Sequence, residues 1–403
     1  MFAPFSTKAP LAKAAAASDT GLLCHQGCAM HYAPAIAIAI LAAAIPGAAA
    51  ATTMVQSGVT AAGLSWQARS LIVGISSTDT AANGGNPIYN PVMPRHSGVA
   101  RLSANVPGFG SGACTGTLLG DRRHIVTAAH CVNRGAGTAS SAAARFYGGS
   151  DPDTAVSGLT GSSATHAVRT ASTIFVHPDY TGQVVDQNDI AILRLNSAAP
   201  SWVTTYDIAR TADLGLRGFD VAGYGLRSSV GGAVGSNLPA GILRTGDNRF
   251  EFRLGDPLLG GLFDSAFGTA PKAHSWLADF DNGMAGNDAA CIAAGFCDPG
   301  VGAREVAVAP GDSGGPAFIN NRLAALVSYG LSFGTAGGDV DGTLNSSFGE
   351  FSGYVPLALH RQFITSITGL SVPEPGSWAM LIAGFGLIGA LQRRQRPKAR
   401  KAH

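Results

Sequence analysis

From Arg95 onward the chain is cut into short β-branched runs, most of them separated by glycine or asparagine: "SGVARLSA", "CTGTLLG", "HIVTAA", "STIFVH", "DIAILRL", "DVAGYG", "AFIN" and "LAALVSY". Runs that short with turn signals between them describe an all-β sandwich or barrel. Composition agrees: charged residues are 13% of the chain and there are 54 glycines, which suits a loop-rich extracellular β protein better than a helical cytosolic enzyme. One stretch breaks the rhythm. Residues 246–303 are rich in glycine and aspartate and read as long surface loops. The body ends in "YVPLALHRQFITSIT", whose apolar positions Val355, Leu357, Leu359, Phe363, Ile364 and Ile367 describe a strand running into an amphipathic helix.

The N-terminus has a secretory pattern. An apolar core at residues 35–45 precedes small residues near Ala49 to Ala51, so residues 1–51 read as a signal peptide, with Met30 an alternative start. Residues 52–92 surround the apolar knot "LIVGI" with Ser, Thr, Ala, Gly and Asn and read as a propeptide or linker holding a short strand. Cys24 and Cys28 fall in the part removed. Cys114, Cys131, Cys291 and Cys297 remain, an even number in an exported chain, which suggests disulfides in one of three pairings. No Cys-x-x-Cys pair among the four points to a metal. The formal net charge of +2 comes from the two ends, leaving a mildly acidic body, which argues against nucleic acid as a partner.

The C-terminus combines three features in order: Pro373, Glu374 and Pro375, an apolar run from Trp378 to Leu391, and six basic residues from Arg393 to Lys401. The run falls short of the roughly 20 helical residues a hydrocarbon core requires, and Gly384, Gly386 and Gly389 weaken it further. The basic block would keep the carboxyl end cytoplasmic, with the body outside. Residues 371–403 resemble the PEP-CTERM sorting signals of exopolysaccharide-producing bacteria. That resemblance implies a Gram-negative source, transient anchoring of segment 378–391 in the inner membrane, and removal by sorting machinery. The destination would be the cell surface or an exopolysaccharide matrix. An ordinary C-terminal anchor is the alternative.

Three strings carry the chemistry: "IVTAAHCV" with His130 directly after a strand, "QNDIAILRL" with Asp189 at a strand head, and "APGDSGGPAF" with Ser313 in a glycine loop. A serine hydroxyl needs a base within hydrogen-bond reach, and the base needs a carboxylate to fix its tautomer. In the order His, Asp, Ser, these strings resemble the trypsin and chymotrypsin family of serine proteases, over residues 93–370. The resemblance implies two packed six-stranded antiparallel Greek-key β-barrels, chymotrypsin-like, with a short C-terminal helix. The site would lie between the barrels. It assigns Ser313 as nucleophile, His130 as general base and then acid, and Asp189 as orienter. Asp186 is the rival carboxylate, but only Asp189 immediately precedes the apolar strand. The amides of Gly311 and Ser313 would form the oxyanion hole.

Other implications are finer. The family's disulfide beside the histidine would pair Cys114 with Cys131, leaving Cys291 and Cys297 to clip their own loop. "HPDY", from His177 to Tyr180, resembles a segment the family carries before its aspartate strand. Within "LVSYG", Ser328 would bond the catalytic aspartate, and Gly330, next to Tyr329, would pair its backbone with substrate. Ala307 stands at the base of the specificity pocket, where a neutral residue favours apolar side chains over Lys or Arg, and Ala309 replaces a common cysteine. Ile72, Val73, Gly74 and Ile75 resemble the terminus that many members free by cleavage and bury against an aspartate, here Asp312. Protein or peptide substrates and no cofactor are implied. "DFDNGMAGND" offers Asp279, Asp281, Asn282, Asn287 and Asp288 as oxygen ligands for calcium, without the twelve-residue pattern that ends in glutamate. The competing function is a catalytically idle surface protein that binds matrix polymer through the 246–303 loops; an esterase is a lesser alternative.

Overall fold

The computed structural model describes residues 54–370 apart from Leu71 and Ala136. The expected signal peptide, Cys24, Cys28 and the expected sorting segment with its apolar run 378–391 lie outside those residues. Among the described residues no helix is long and apolar enough to cross a membrane.

A hairpin of β1 (Val55–Val59) and β2 (Ser65–Arg69) comes first, then the short β3 (Val73–Gly74). Six strands follow: β4 (Val99–Val106), β5 (Gly110–Leu118), β6 (His124–Thr127), β7 (Ser141–Tyr147), β8 (His166–Val176) and β9 (Ala191–Leu195). They close a barrel in the order β4-β5-β6-β9-β8-β7. Period-two alternation fills it, because successive side chains point to opposite faces of a strand. Thus β4 turns Ala100, Leu102, Ala104 and Val106 inward, meeting Phe146, Leu193 and Leu195. The strand β7 has the alanine-rich sequence SAAARFY, which carries little β signal. Ala142, Ala144 and Phe146 nonetheless face the interior.

The remaining strands are β10 (Gly218–Gly223), β11 (Arg244–Arg249), β12 (Phe252–Arg253), β13 (Trp276–Asp279), β14 (Val306–Ala307), β15 (Pro316–Ile319), β16 (Arg322–Ser332) and β17 (Phe351–Pro356). All but β14 join one antiparallel sheet in the order β11-β10-β15-β16-β17-β13-β12, while β14 pairs with β3. The first and last strands of that path are consecutive in the chain. At Phe250 and Glu251 the backbone bends and changes partner, from Gly218 opposite Arg249 to Leu277 opposite Phe252. The second of the two expected six-stranded barrels is therefore a sheet curled on itself and joined through a bent strand, not a ring closed by hydrogen bonds alone. Hairpin β1–β2 adds a further edge through β2, which pairs with β16.

Residues 246–303 are not the surface loops their composition suggests. They supply β12, β13, most of β11 and helix α1 (Ala289–Ala294), and they bury Phe250, Phe252, Phe263 and Phe267. The aspartates that suggested loops act as caps: Asp256 accepts from the Leu258 amide and Asp288 from the Cys291 amide. The expected C-terminal helix is α2 (Arg361–Thr368), reached from β17 through a single 3-10 turn. Its Ile364 joins Ile190 and Ile192 at the head of the aspartate strand, and Tyr224, Phe318 and Leu326 of the second sheet, in a cluster that welds the two halves. Each such side chain contributes about 1.5–3 kcal/mol by burial, so the strand carrying Asp189 is held from both faces.

Candidate active site

His130 lies in a 3-10 turn at the end of β6, and Asp189 two residues before β9, the strand that pairs with β6. The pairing brings side chains 59 residues apart into contact. Asp189 Oδ2 accepts from His130 Nδ1 at 2.7 Å and Oδ1 from the His130 amide at 2.9 Å. Ser328 Oγ, from β16, donates to the same Oδ2 at 2.6 Å. With three donors on one carboxylate, the imidazole proton is held on Nδ1 and Nε2 is left without one. Asp186 does not compete: its carboxylate accepts from the Thr181 amide and hydroxyl and the Asn188 amide, capping the preceding turn.

Ser313 sits between β14 and β15. The Thr115 amide donates to Ser313 O at 2.9 Å, tying the serine loop to β5 one residue after Cys114. The Cys114–Cys131 disulfide fixes β5 to the histidine turn, with Cα atoms 6.0 Å apart. His130 and Ser313 then share one cleft of about 170 Å³, lined also by Met54, Ser70, Cys114 and Gly311. Gly311 and Gly314 adopt φ of 103° and 77°, and a Cβ on Gly314 would collide with Thr127 Oγ1 and Thr115 O. Only glycine suits both positions. Thr115 Oγ1 donates to Gly311 O at 2.9 Å, and among the described residues no acceptor bonds the Gly311 or Ser313 amide. Those two N–H groups are left without an acceptor from the described residues.

Asp312 is fully buried. Its carboxylate accepts from the amides of Ile72, Gly225 and Ala309, the last two at 2.7 and 2.8 Å. Burial pushes its pKa up to about 8, the amide hydrogen bonds opposing the shift. Ile72 is buried, and Val73 pairs with Ala307.

The four expected substrate-binding residues divide. Ser328 supports Asp189. Gly330 does pair with an added antiparallel strand, but the strand is the chain's own β2, through Arg69, with Ala68 opposite Leu331 and Gln67 opposite Ser332. Tyr329 points into the core, where its ring fills the space over Gly353 and its hydroxyl bonds Ser275 Oγ at 2.7 Å. Its side chain cannot touch substrate. Ala307 and Ala309 are buried against Val73, Phe280 and Phe348. His177 packs edge-on against His360 and Phe363, anchoring "HPDY" to the C-terminal helix segment.

Cys291 and Cys297 close their own loop at the end of α1. Of the suggested calcium ligands, Asn282 and Asn287 bond each other and Asp288 caps α1, leaving Asp279 and Asp281 turned inward. The supporting roles of Thr115, Gly225 and β2 were not read from the sequence. Thr115 and Gly225 act from far along the chain with no motif of their own, whereas the alternating Trp66 and Ala68 of β2 were a signal that could have been used.

Residues 89–248 match the family model Trypsin, and residues 371–396 match the PEP-CTERM protein-sorting motif. The first span contains His130 and Asp189 and ends before Ser313. No curated protein matches the chain. Among solved structures, an HL collagenase is 19% identical, covers 70% of this chain and 98% of its own, and superposes with a TM-score of 0.47.

Proposed function

Starting from a chain that carries a trypsin-family domain over residues 89–248 and a PEP-CTERM sorting motif over residues 371–396, we propose that the protein is an exported serine endopeptidase. The observation that carries the reading is the His130–Asp189–Ser328 hydrogen-bond relay in a cleft shared with Ser313. Ser313 Oγ attacks the scissile carbonyl carbon while His130 Nε2 takes its proton. Asp189 stabilises the imidazolium, and the amides of Gly311 and Ser313 hold the oxyanion, each such donor worth about 3–4 kcal/mol. The tetrahedral intermediate collapses to an acyl-enzyme, expelling the amine with the proton from His130. Water repeats the relay to release the acid. The sorting motif directs export through a Gram-negative envelope by way of inner-membrane processing machinery, to the cell surface or an exopolysaccharide matrix. No organic cofactor is involved. The neutral Ala307 favours apolar P1 side chains.

Activity requires cleavage before Ile72. A buried carboxylate facing neutral amides is disfavoured as an anion, so Asp312 lacks a counter-charge in the intact chain. A freed Ile72 ammonium supplies one and locks the loop bearing the oxyanion amides. The same cut releases β2, which occupies the edge at Gly330 where a substrate strand would add. Wild type and Ser313→Ala are to be compared on chromogenic tetrapeptides, with N-terminal sequencing of the active form. Turnover fastest at apolar P1, confined to wild type with Ile72 at its N-terminus, is expected. Fastest cleavage after Lys or Arg would reject the specificity, an active form starting elsewhere would reject the activation step, and no turnover by the processed wild type would reject the enzyme.

A further inference from the structure

Outside the lining of the catalytic cleft, Glu251, Asp279 and Asp281 each bring one carboxylate oxygen to within 4.8 Å of the others. Their exposures are 7%, 1% and 2%. Glu251 sits at the bend between β11 and β12, Asp279 ends β13, and Asp281 follows two residues later. Among the described residues no lysine, arginine or histidine forms an ion pair with any of them. Two further acids, Asp288 and Glu305, act on the same ground with the same sign. The donors present are few: the Asp279 amide to Glu251 Oε2 at 3.2 Å, the Ala290 amide to Asp279 Oδ2 at 2.8 Å, and the Asp281 amide to Glu305 Oε1 at 2.7 Å. Asp281 Oδ1 is buried with no partner at all.

Three carboxylates cannot be held dry and together without something positive between them, either protons or a metal ion. We propose that Glu251, Asp279 and Asp281 bind a hard divalent cation, calcium. An all-oxygen, all-anionic set excludes soft metals. Calcium also accepts bidentate carboxylates in irregular geometry, whereas magnesium dehydrates reluctantly and keeps waters that a site this buried has little room for. The ion joins the bend β11–β12, where the second sheet changes partner, to the end of β13. Through Glu305, which precedes β14, it also steadies the segment leading to Ala307.

The test titrates calcium chloride into the purified, EDTA-treated full chain by calorimetry and follows thermal unfolding in EDTA and in calcium. One ion per chain and a Tm higher by roughly 5–10 °C at calcium a hundredfold above Kd are expected. Asp281→Asn and Glu251→Gln should lose the calcium-dependent rise. In EDTA they should melt no lower than wild type, because each removes repulsion. No heat of binding and identical Tm values in wild type would overturn the site whether or not the variants fold. So would a calcium-dependent rise that survives both substitutions. Ser313→Ala, with its hydroxyl gone and the acidic site intact, should keep the full calcium response.

Discussion

Asp189 and Asp281 are both buried carboxylates beside the end of a strand, and their surroundings are opposite. Asp189 has three donors from its own chain, at 2.6, 2.7 and 2.9 Å. Asp281 has an oxygen with none, and two other carboxylates within 4.8 Å. A buried acid whose partners are side chains and amides is complete as folded and can serve chemistry by holding another group in place. One whose neighbours are all acids is incomplete until something outside the chain arrives. Asp312 lies between the two: it has three amide donors but no charge, until cleavage would provide one.

The largest effect expected is at the complete site. Asp189→Asn should cut kcat about 10⁴-fold by fixing the wrong imidazole tautomer, with the calcium response of Tm unchanged; steady-state kinetics and calorimetry on one preparation read both. Asp312→Asn should reduce kcat by about a hundredfold in processed enzyme, through a loosened oxyanion loop, with a smaller change in KM. Kinetics equal to wild type after cleavage at Ile72 would detach the activation step from the oxyanion hole. Replacing Cys291 and Cys297 together by serine should cost about 2 kcal/mol, the loop-closure value for so short a ring. Denaturant unfolding measures it, and kcat on a small peptide should hold.

The smallest effect separates the two kinds of carboxylate by pH. Burial raises the folded pKa of Asp279, Asp281, Glu251 and Asp312 above the unfolded values near 4. The folded state therefore binds more protons than the unfolded one, and stability present at low pH is lost as pH rises through the folded values. In EDTA, Tm should fall between pH 5 and pH 8. Calcium, or Asp281→Asn, should flatten that slope but not abolish it, since Glu350, raised to about 8 by burial, titrates with the same sign. A slope identical with and without calcium would place no ion at Asp281.

The same contrast explains what could be read from the sequence. His130, Asp189 and Ser313 each sit in a local string whose residue types serve the chemistry, so the pairing of His130 with Asp189, their closeness to Ser313 and the strands before His130 and after Asp189 were legible. The acidic site takes Glu251 from a bend and Asp279 and Asp281 from a strand end nearly thirty residues later, joined only by pairing of β12 with β13. The string "DFDNGMAGND" did offer Asp279 and Asp281, but grouped them with asparagines that bond each other and with Asp288, which caps α1; no local pattern reaches Glu251. Composition misled over residues 246–303, where aspartates that cap turns and α1 mask five buried phenylalanines. Tyr329 was named with its neighbours in "LVSYG" on the resemblance alone, and its ring lies buried over Gly353.

The most direct test is fluorophosphonate labelling of the protein before and after cleavage at Ile72, in wild type beside Ser313→Ala and Asp189→Asn. Rapid labelling of cleaved wild type, slow labelling in Asp189→Asn and none in Ser313→Ala is the expected result. A folded, cleaved wild type that does not label, or a Ser313→Ala protein that labels as wild type does, would contradict an activated serine at this site.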